Sequence, residues 1–123
     1  MNVNGTINLL EVMSKFDCKT IIFSSSATIY KPKLNNLINE FSDLSPINPY
    51  GNTKFVIEKF LKDLYESEKN RWRIASLRYF NPAGAHYSGI LGENPKTEST
   101  NLFPQIIKAL EKKIKYLPIY GND

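Results

Sequence analysis

The sequence predicts an α/β protein in which helices flank a parallel sheet. Helical and extended segments alternate along its 123 residues, and that order is typical of parallel sheets with helical crossovers. The first extended segment is a short, unbroken apolar run, as expected of a parallel strand that is covered on both faces. Polar groups follow each of the first two runs, where parallel α/β sheets bind their ligands.

The first half of this pattern is a helix followed by a strand. Residues 5–16 repeat apolar side chains at helical spacing. Residues 20–24 form the first predicted strand, and its apolar core, Ile21–Phe23, stops at three serines. A long polar loop, Ala27–Ile47, follows, and loops of this length inside compact domains are usually functional or disordered.

The second half repeats the order of helix and strand. A helix is predicted from Tyr50 to about Lys69, because Asn48 suits a cap and Pro49 suits a first helical turn. The remaining predicted elements are a strand at 73–80, a loop at 81–100, a helix within 102–114 that Asn101 could cap, and a strand at 116–120.

Composition excludes several classes of function. The net charge of +4 comes from scattered lysines, so no nucleic-acid surface is predicted. The single cysteine, Cys18, cannot form an internal disulfide, which favours a reducing, cytoplasmic location. One histidine leaves no usual metal cluster, so no metal is predicted. No apolar run is long enough to span a membrane, so no membrane partner is expected.

Tyr50 and Lys54 lie one helical turn apart on the apolar stripe of the second helix. The stripe continues through Ile57, Leu61 and Leu64, so both ionisable side chains are predicted to point inward. Two interpretations of Lys54 follow from the spacing. Its side chain could extend outward and pair with Glu58, a common surface arrangement. Alternatively, it serves a site at the sheet edge.

The topology favours such a site. The serines after Phe23, the polar loop after Phe80 and the start of the second helix all meet at the carboxyl edge of the predicted sheet. A phenol has a pKa near 10, and a neighbouring ammonium favours its ionised form. Tyr50 with Lys54, assisted by the hydroxyl of Ser26, could therefore take a proton from a substrate alcohol. A nicotinamide cofactor would have to accept the hydride.

Three segments carry a resemblance to a known family: FSSSATIY, PYGNTK and RYFNPAGAH. In this order they resemble the middle of the UDP-glucose 4-epimerase family of extended short-chain dehydrogenases/reductases. The resemblance implies a Rossmann-type sheet, bound NAD, a UDP-sugar substrate, C4 epimerisation in galactose metabolism and a homodimer. It also implies catalytic roles for Ser26, Tyr50 and Lys54, and cofactor contacts by Ser24, Ser26, Tyr50, Lys54 and Phe80. The implied substrate contacts are Ser26, Tyr50, Asn81, Asn101, Leu102, Pro118 and Tyr120.

The dinucleotide fingerprint of that family is absent from this sequence. Its glycines, at positions 5, 51, 84, 89, 92 and 121, do not have the G-x-G-x-x-G spacing. Met1 stands where the family usually has an asparagine, and the family continues beyond Asp123. The expectation is a fragment: residues 1–123 as one partial domain, the central catalytic part, without the N-terminal nucleotide-binding strands and inactive by itself.

Two alternative functions stay open at this point. A sugar-nucleotide dehydratase of the same superfamily would carry an acidic pair after the serine, where this chain has Ala27 and Thr28. A non-catalytic remnant that only folds with a partner would not need to bind NAD. Among the other polar and aromatic residues, Tyr30 and Tyr79 are predicted to be packing aromatics, and His86 is given no role.

Overall fold

The computed structural model describes residues 2–32, 37–68, 71–93 and 95–119. The chain divides into two compact units, Met1–Asn81 and Pro82–Asp123, and each is described by itself. In order, the first unit contains helix α1 (Asn2–Lys15), strand β1 (Thr20–Ser26), a single 3-10 turn (Ala27–Ile29), helix α2 (Pro49–Ser67) and strand β2 (Arg73–Tyr79).

Strands β1 and β2, which helix α2 connects, pair directly and run parallel. Their register runs without interruption from Thr20 opposite Arg73 to Ser26 opposite Tyr79. Both strands therefore end at the same edge of the sheet. The predicted order of helix, strand, helix and strand is confirmed for the first unit, and so is the parallel pairing of its two strands.

Helix α2 begins where the sequence predicts. Asn48 is the cap, and its side-chain oxygen accepts a hydrogen bond of 2.7 Å from the backbone N–H of Gly51. Pro49 is the first helical residue, where its missing N–H costs nothing. The cap fixes the direction in which the first turn, with Tyr50, leaves the loop, and Lys54 follows one turn later.

The core lies on one face of the sheet. Both helices contribute to it, together with β1 and the residue before β2: its buried members are Leu10, Phe23, Ile57, Leu61 and Trp72. Alternate strand residues point to opposite faces, so Ile22 points away from this core and is 68% exposed. The expectation that β1 is covered on both faces is therefore wrong for the described residues, because α1 and α2 pack against the same face.

The stripe of α2 is buried only in its middle. Ile57 and Leu61 are buried and Leu64 is partly buried, as predicted. Tyr50, in contrast, is 51% exposed, so the prediction that it points inward is wrong. It occupies the first turn of the helix, next to the edge where the strands end, and the described residues cover only about half of it. Lys54 is partly buried.

The second unit contains one regular element among its described residues, helix α3 (Leu102–Leu110). The helix ends before the predicted limit of 114, at a turn in which Lys112 adopts a positive φ of 58°. Residues 116–119 are not a strand, so the predicted third strand is wrong over that range. A strand needs a paired neighbour, the described part of this unit holds none, and Pro118 lacks an N–H to donate.

Candidate active site

Ser26 ends β1 and shapes the turn that follows. Its hydroxyl oxygen accepts hydrogen bonds from the backbone N–H of Thr28 at 3.2 Å and from the Thr28 hydroxyl at 3.0 Å. A serine hydroxyl has one hydrogen to donate in addition to its two acceptor positions. Because both bonds here are accepted, the hydrogen of Ser26 remains available to donate to a ligand.

Gly51 holds the start of α2 against the same turn. A Cβ at this position would lie 2.6 Å from the carbonyl oxygen of Thr28 and 3.0 Å from the Cβ of Pro46. Only glycine permits so close an approach, although glycine is a poor residue for a helix interior. The close approach brings Tyr50, the neighbour of Gly51, next to the turn that Ser26 caps.

Lys54 connects the second turn of α2 to the end of β1. Its ammonium donates a hydrogen bond of 2.9 Å to the main-chain carbonyl of Ser24. The same ammonium lies 5.0 Å from the ring centre of Phe23 and 5.6 Å from that of Tyr50. The alternative pairing of Lys54 with Glu58 is wrong, because Glu58 pairs with Arg78.

Phe80 and Asn81 lie directly beyond the end of β2, and both are exposed. The ring of Phe80 stacks on that of Tyr30, with centres 6.4 Å apart and an angle of 27° between planes. Tyr30 is buried, as expected of a packing aromatic, whereas Tyr79 is partly exposed at 46%. An exposed apolar ring thus borders the polar groups at this edge.

Two polar contacts and one buried hydroxyl of this region are not predicted by the sequence analysis. Thr28 bonds to Ser26, and Arg78 joins β2 to Glu58 with a shortest contact of 2.7 Å. The hydrogen bond to Glu58 raises the pKa of Arg78 above its usual value. Ser25 is buried, and its hydroxyl has no hydrogen-bond partner among the described residues. An arginine inside a strand is the one feature that could have indicated the Arg78 contact.

The other predicted substrate residues belong to the second unit. Asn101 occupies the N-cap position of α3, as predicted, but its side chain makes no capping hydrogen bond. Its amide donates to a carboxylate oxygen of Glu93 at 3.3 Å. Two other predicted substrate residues, Leu102 and Pro118, have exposed side chains. Tyr120 lies outside the described residues.

In the described part of the chain, no three residues among His, Cys, Asp and Glu are grouped so that they could hold a metal ion. No helix within that part is both long enough and apolar enough to cross a bilayer.

The chain also matches a known protein family. A family model described as the NAD dependent epimerase/dehydratase family matches residues 1–122. The chain belongs to this family. The match extends over both compact units, including the serine turn, the start of α2 and the end of β2.

Individual members of the epimerase family are similar over the same length. UDP-glucose 4-epimerase 2 of Oryza sativa subsp. japonica is 48% identical over 122 residues, covering 99% of this chain and 30% of that protein. UDP-glucose 4-epimerase of Bacillus subtilis is 44% identical over 122 residues, again 99% of this chain and 36% of that protein. The chain thus spans about a third of the length of these relatives.

A solved epimerase structure has a closely similar backbone. The UDP-glucose 4-epimerase from Bifidobacterium longum, crystallised in complex with NAD+ and UDP, superimposes with a TM-score of 0.86 at 43% identity. That comparison covers 99% of this chain and 36% of the other. The Rossmann-type fold that the resemblance implies is therefore confirmed, with this chain matching only part of it.

Proposed function

We propose that this chain is the central catalytic segment of a UDP-glucose 4-epimerase, which interconverts UDP-glucose and UDP-galactose with bound NAD. The bond from Lys54 to the Ser24 carbonyl carries the proposal, because it sets an ammonium beside the Tyr50 ring at the serine end of β1. Relatives named UDP-glucose 4-epimerase at 44% and 48% identity support the choice of reaction.

Each catalytic residue has a distinct task in this proposal. Tyr50 takes the proton from the C4 hydroxyl of the sugar and later returns it. Ser26 donates its hydroxyl hydrogen toward the same oxygen, since Thr28 occupies its acceptor positions. The charge of Lys54 stabilises negative charge on the phenol oxygen while the proton is transferred. Bound NAD would supply a reversible acceptor for the hydride that leaves C4.

The described residues fit one half of that cofactor. The polar groups of Ser24, Ser26, Tyr50 and Lys54 suit a ribose, and the exposed ring of Phe80 suits the flat face of a nicotinamide. The glycine spacing that receives a pyrophosphate is absent from this sequence, so we assign no residue to that group. Contacts to the UDP-sugar are proposed for Ser26, Tyr50, Asn81, Asn101, Leu102, Pro118 and Tyr120.

Several wider properties are part of the same proposal. Residues 1–123 form one partial domain of a cytoplasmic enzyme of galactose metabolism, with no nucleic-acid partner. The enzyme is a homodimer. The apolar side chains that α1 and α2 leave about half exposed support dimerisation: Leu9, Val12, Val56 and Phe60.

The dehydratase alternative is not favoured. The elimination of water needs an acidic pair after the serine, and here Ala27 and Thr28 follow it, with Thr28 bonded back to Ser26. A non-catalytic remnant would not require an ammonium bonded to the Ser24 carbonyl beside a half-exposed tyrosine. Measurement of turnover separates this last alternative from the proposal.

The test uses a chimeric epimerase in which residues 1–122 replace the matched segment of the Bacillus subtilis enzyme. We expect this chimera to bind NAD and to convert UDP-galactose to UDP-glucose, measured by coupled oxidation of the product. The control is the same chimera carrying Tyr50→Phe, which should bind NAD but turn over far more slowly. A folded, NAD-loaded chimera with no turnover would contradict the proposed function.

A further inference from the structure

Arg78 joins three segments of the first unit at the end of the sheet. Its guanidinium donates to both carboxylate oxygens of Glu58, at 2.7 to 3.3 Å. It also donates to the hydroxyl of Tyr30 at 3.0 Å and to the main-chain carbonyl of Glu40 at 3.2 Å. We name the three side chains Arg78, Glu58 and Tyr30 the Arg78 clamp. Helix α2, the segment after β1 and the 37–44 loop thus all meet strand β2 at one side chain.

The clamp lies close in sequence to the proposed catalytic and cofactor residues. Each clamp residue is within four positions of one of them: Tyr30 follows Ser26, Glu58 follows Lys54, and Arg78 precedes Phe80. Four helical residues correspond to about 6 Å along the axis, so movement of Glu58 would carry Lys54 with it. Tyr30 also stacks on Phe80, which extends the clamp to the exposed ring beyond β2.

Stability alone explains this arrangement poorly. The Arg78 and Glu58 side chains are only 20% and 10% exposed, and burying two charges offsets much of the energy of their attraction. A two-pronged arginine contact does, however, fix distance and direction, which a lysine cannot do. The value of the clamp therefore lies in the geometry that it sets.

We propose that the Arg78 clamp positions the start of α2, with Tyr50 and Lys54, relative to the end of β2, where Phe80 lies. The inference rests on the proposed function, because it assigns Phe80 to the cofactor and Tyr50 to the proton. Arg78 is a positioning residue that acts through Glu58 and Tyr30. A displacement of about 1 Å in a reacting group can cost about a hundredfold in rate, so a small change in the clamp should be measurable.

The experiment compares three variants of the chimeric epimerase. Arg78→Lys keeps the charge but cannot bond Glu58, Tyr30 and Glu40 together. Tyr30→Phe removes one hydroxyl and keeps the ring that stacks on Phe80. Arg71→Lys is the matched control, because Arg71 makes a more distant, exposed pair with Asp17 at 3.7 Å. For each variant, kcat and KM for UDP-galactose and the hydrogen exchange of backbone amides are measured.

We expect Arg78→Lys to lower kcat about tenfold or more while KM stays within about twofold, as for lost alignment of reacting groups. Amides of residues 37–44 and 50–55 should exchange faster in the same variant. Tyr30→Phe should also lower kcat and speed amide exchange, but by less than Arg78→Lys does. Arg71→Lys should change neither kcat nor exchange.

An unchanged kcat and unchanged exchange at 50–55 in Arg78→Lys would overturn the proposal. If that variant does not fold, Tyr30→Phe decides, and wild-type values for it would likewise overturn the clamp. An inactive parent chimera would count against the proposed function instead. In that case, faster exchange at 50–55 in the Arg78→Lys variant would still support the clamp, and unchanged exchange would reject it.

Discussion

The ammonium of Lys54 donates a hydrogen bond of 2.9 Å to the main-chain carbonyl of Ser24. This bond ties the second turn of α2 to the end of β1, and it holds a positive charge beside the ring of Tyr50. An ammonium has three N–H donors, so one bond to Ser24 leaves others for a ligand at this edge. The position of the charge therefore depends on the length and shape of this one side chain.

The first prediction separates the roles of Tyr50 and Lys54 in the chimeric epimerase. Tyr50→Phe removes the only oxygen proposed to take the proton directly, and general-base catalysis contributes about 10²–10⁴-fold. Lys54→Arg retains a charge but not the compact ammonium that reaches the Ser24 carbonyl. We expect Tyr50→Phe to reduce kcat far more than Lys54→Arg does, as measured by steady-state kinetics at saturating UDP-galactose. Equal, modest losses in the two variants would mean that Tyr50 is not the base.

The second prediction concerns Gly51, where a Cβ would lie 2.6 Å from the Thr28 carbonyl oxygen. Since that oxygen is backbone, Gly51→Ala must push the start of α2 away from the serine turn. We expect a loss of stability of about 1–3 kcal/mol, typical of overpacking, together with a lower kcat.

Gly5 provides the matched control for that substitution. It lies inside α1, and apart from its chain neighbours and the adjacent backbone of its own helix no described atom is within 4 Å of the site that its Cβ would occupy. Gly5→Ala should therefore stabilise the protein by about 0.5–1 kcal/mol through helix propensity. Thermal unfolding of both variants gives the comparison. Similar shifts of Tm in the same direction would contradict the close contact at Gly51.

The sequence was sufficient to predict the βαβ core, because periodicity and local caps determine it. Asn48 and Pro49 marked the start of α2, and the apolar run Ile21–Phe23 marked β1. Features that depend on distant partners were predicted poorly. The covering of Ile22 and the pairing of residues 116–119 require neighbours elsewhere in the fold, and no local pattern reports whether they are in place.

In the candidate site, too, locally fixed features could be predicted and contacts with distant segments could not. The spacing of Tyr50 and Lys54 and the position of Ser26 could be found from the sequence, since helix and strand geometry fix them locally. Because oppositely charged side chains four residues apart on a helix often pair, Glu58 is a predicted ion-pair partner for Lys54. Arg78 pairs with Glu58 instead, because its guanidinium contacts both carboxylate oxygens at once. Contacts between segments so far apart in the chain leave no local signal that identifies both partners.

The third prediction concerns acid stability. Glu68 bonds to the ammonium of Lys19 at 2.8 Å, and this contact lowers the pKa of Glu68 below its ordinary value of 4.5. A lowered pKa in the folded state means that the pair stabilises the fold above about pH 4.5. That contribution is lost as the pH falls below 4.5 and through the folded value.

Unfolding of the chimera in urea at pH 6 and pH 3 measures this effect. We expect Glu68→Gln to lose less free energy of unfolding on acidification than the parent does. Glu66→Gln is the control, because Glu66 lies in an exposed pair with Lys62 at 3.7 Å. If the parent, Glu68→Gln and Glu66→Gln all lose the same free energy of unfolding between pH 6 and pH 3, the Lys19 contact does not lower the pKa of Glu68.

The last prediction is that the 123-residue chain, expressed by itself, neither binds NAD tightly nor converts UDP-galactose. In this fold, the NAD pyrophosphate is received by a glycine turn at a helix N-terminus, and none of the six glycines here has the required spacing. The exposed face around Ile22 and the strand edges that pair with no other described strand should also make the chain self-associate. Sedimentation, NAD titration and a UDP-galactose assay on the same sample test each part. A soluble monomer that binds NAD tightly and turns over substrate would show that this fold can hold its cofactor without the glycine turn.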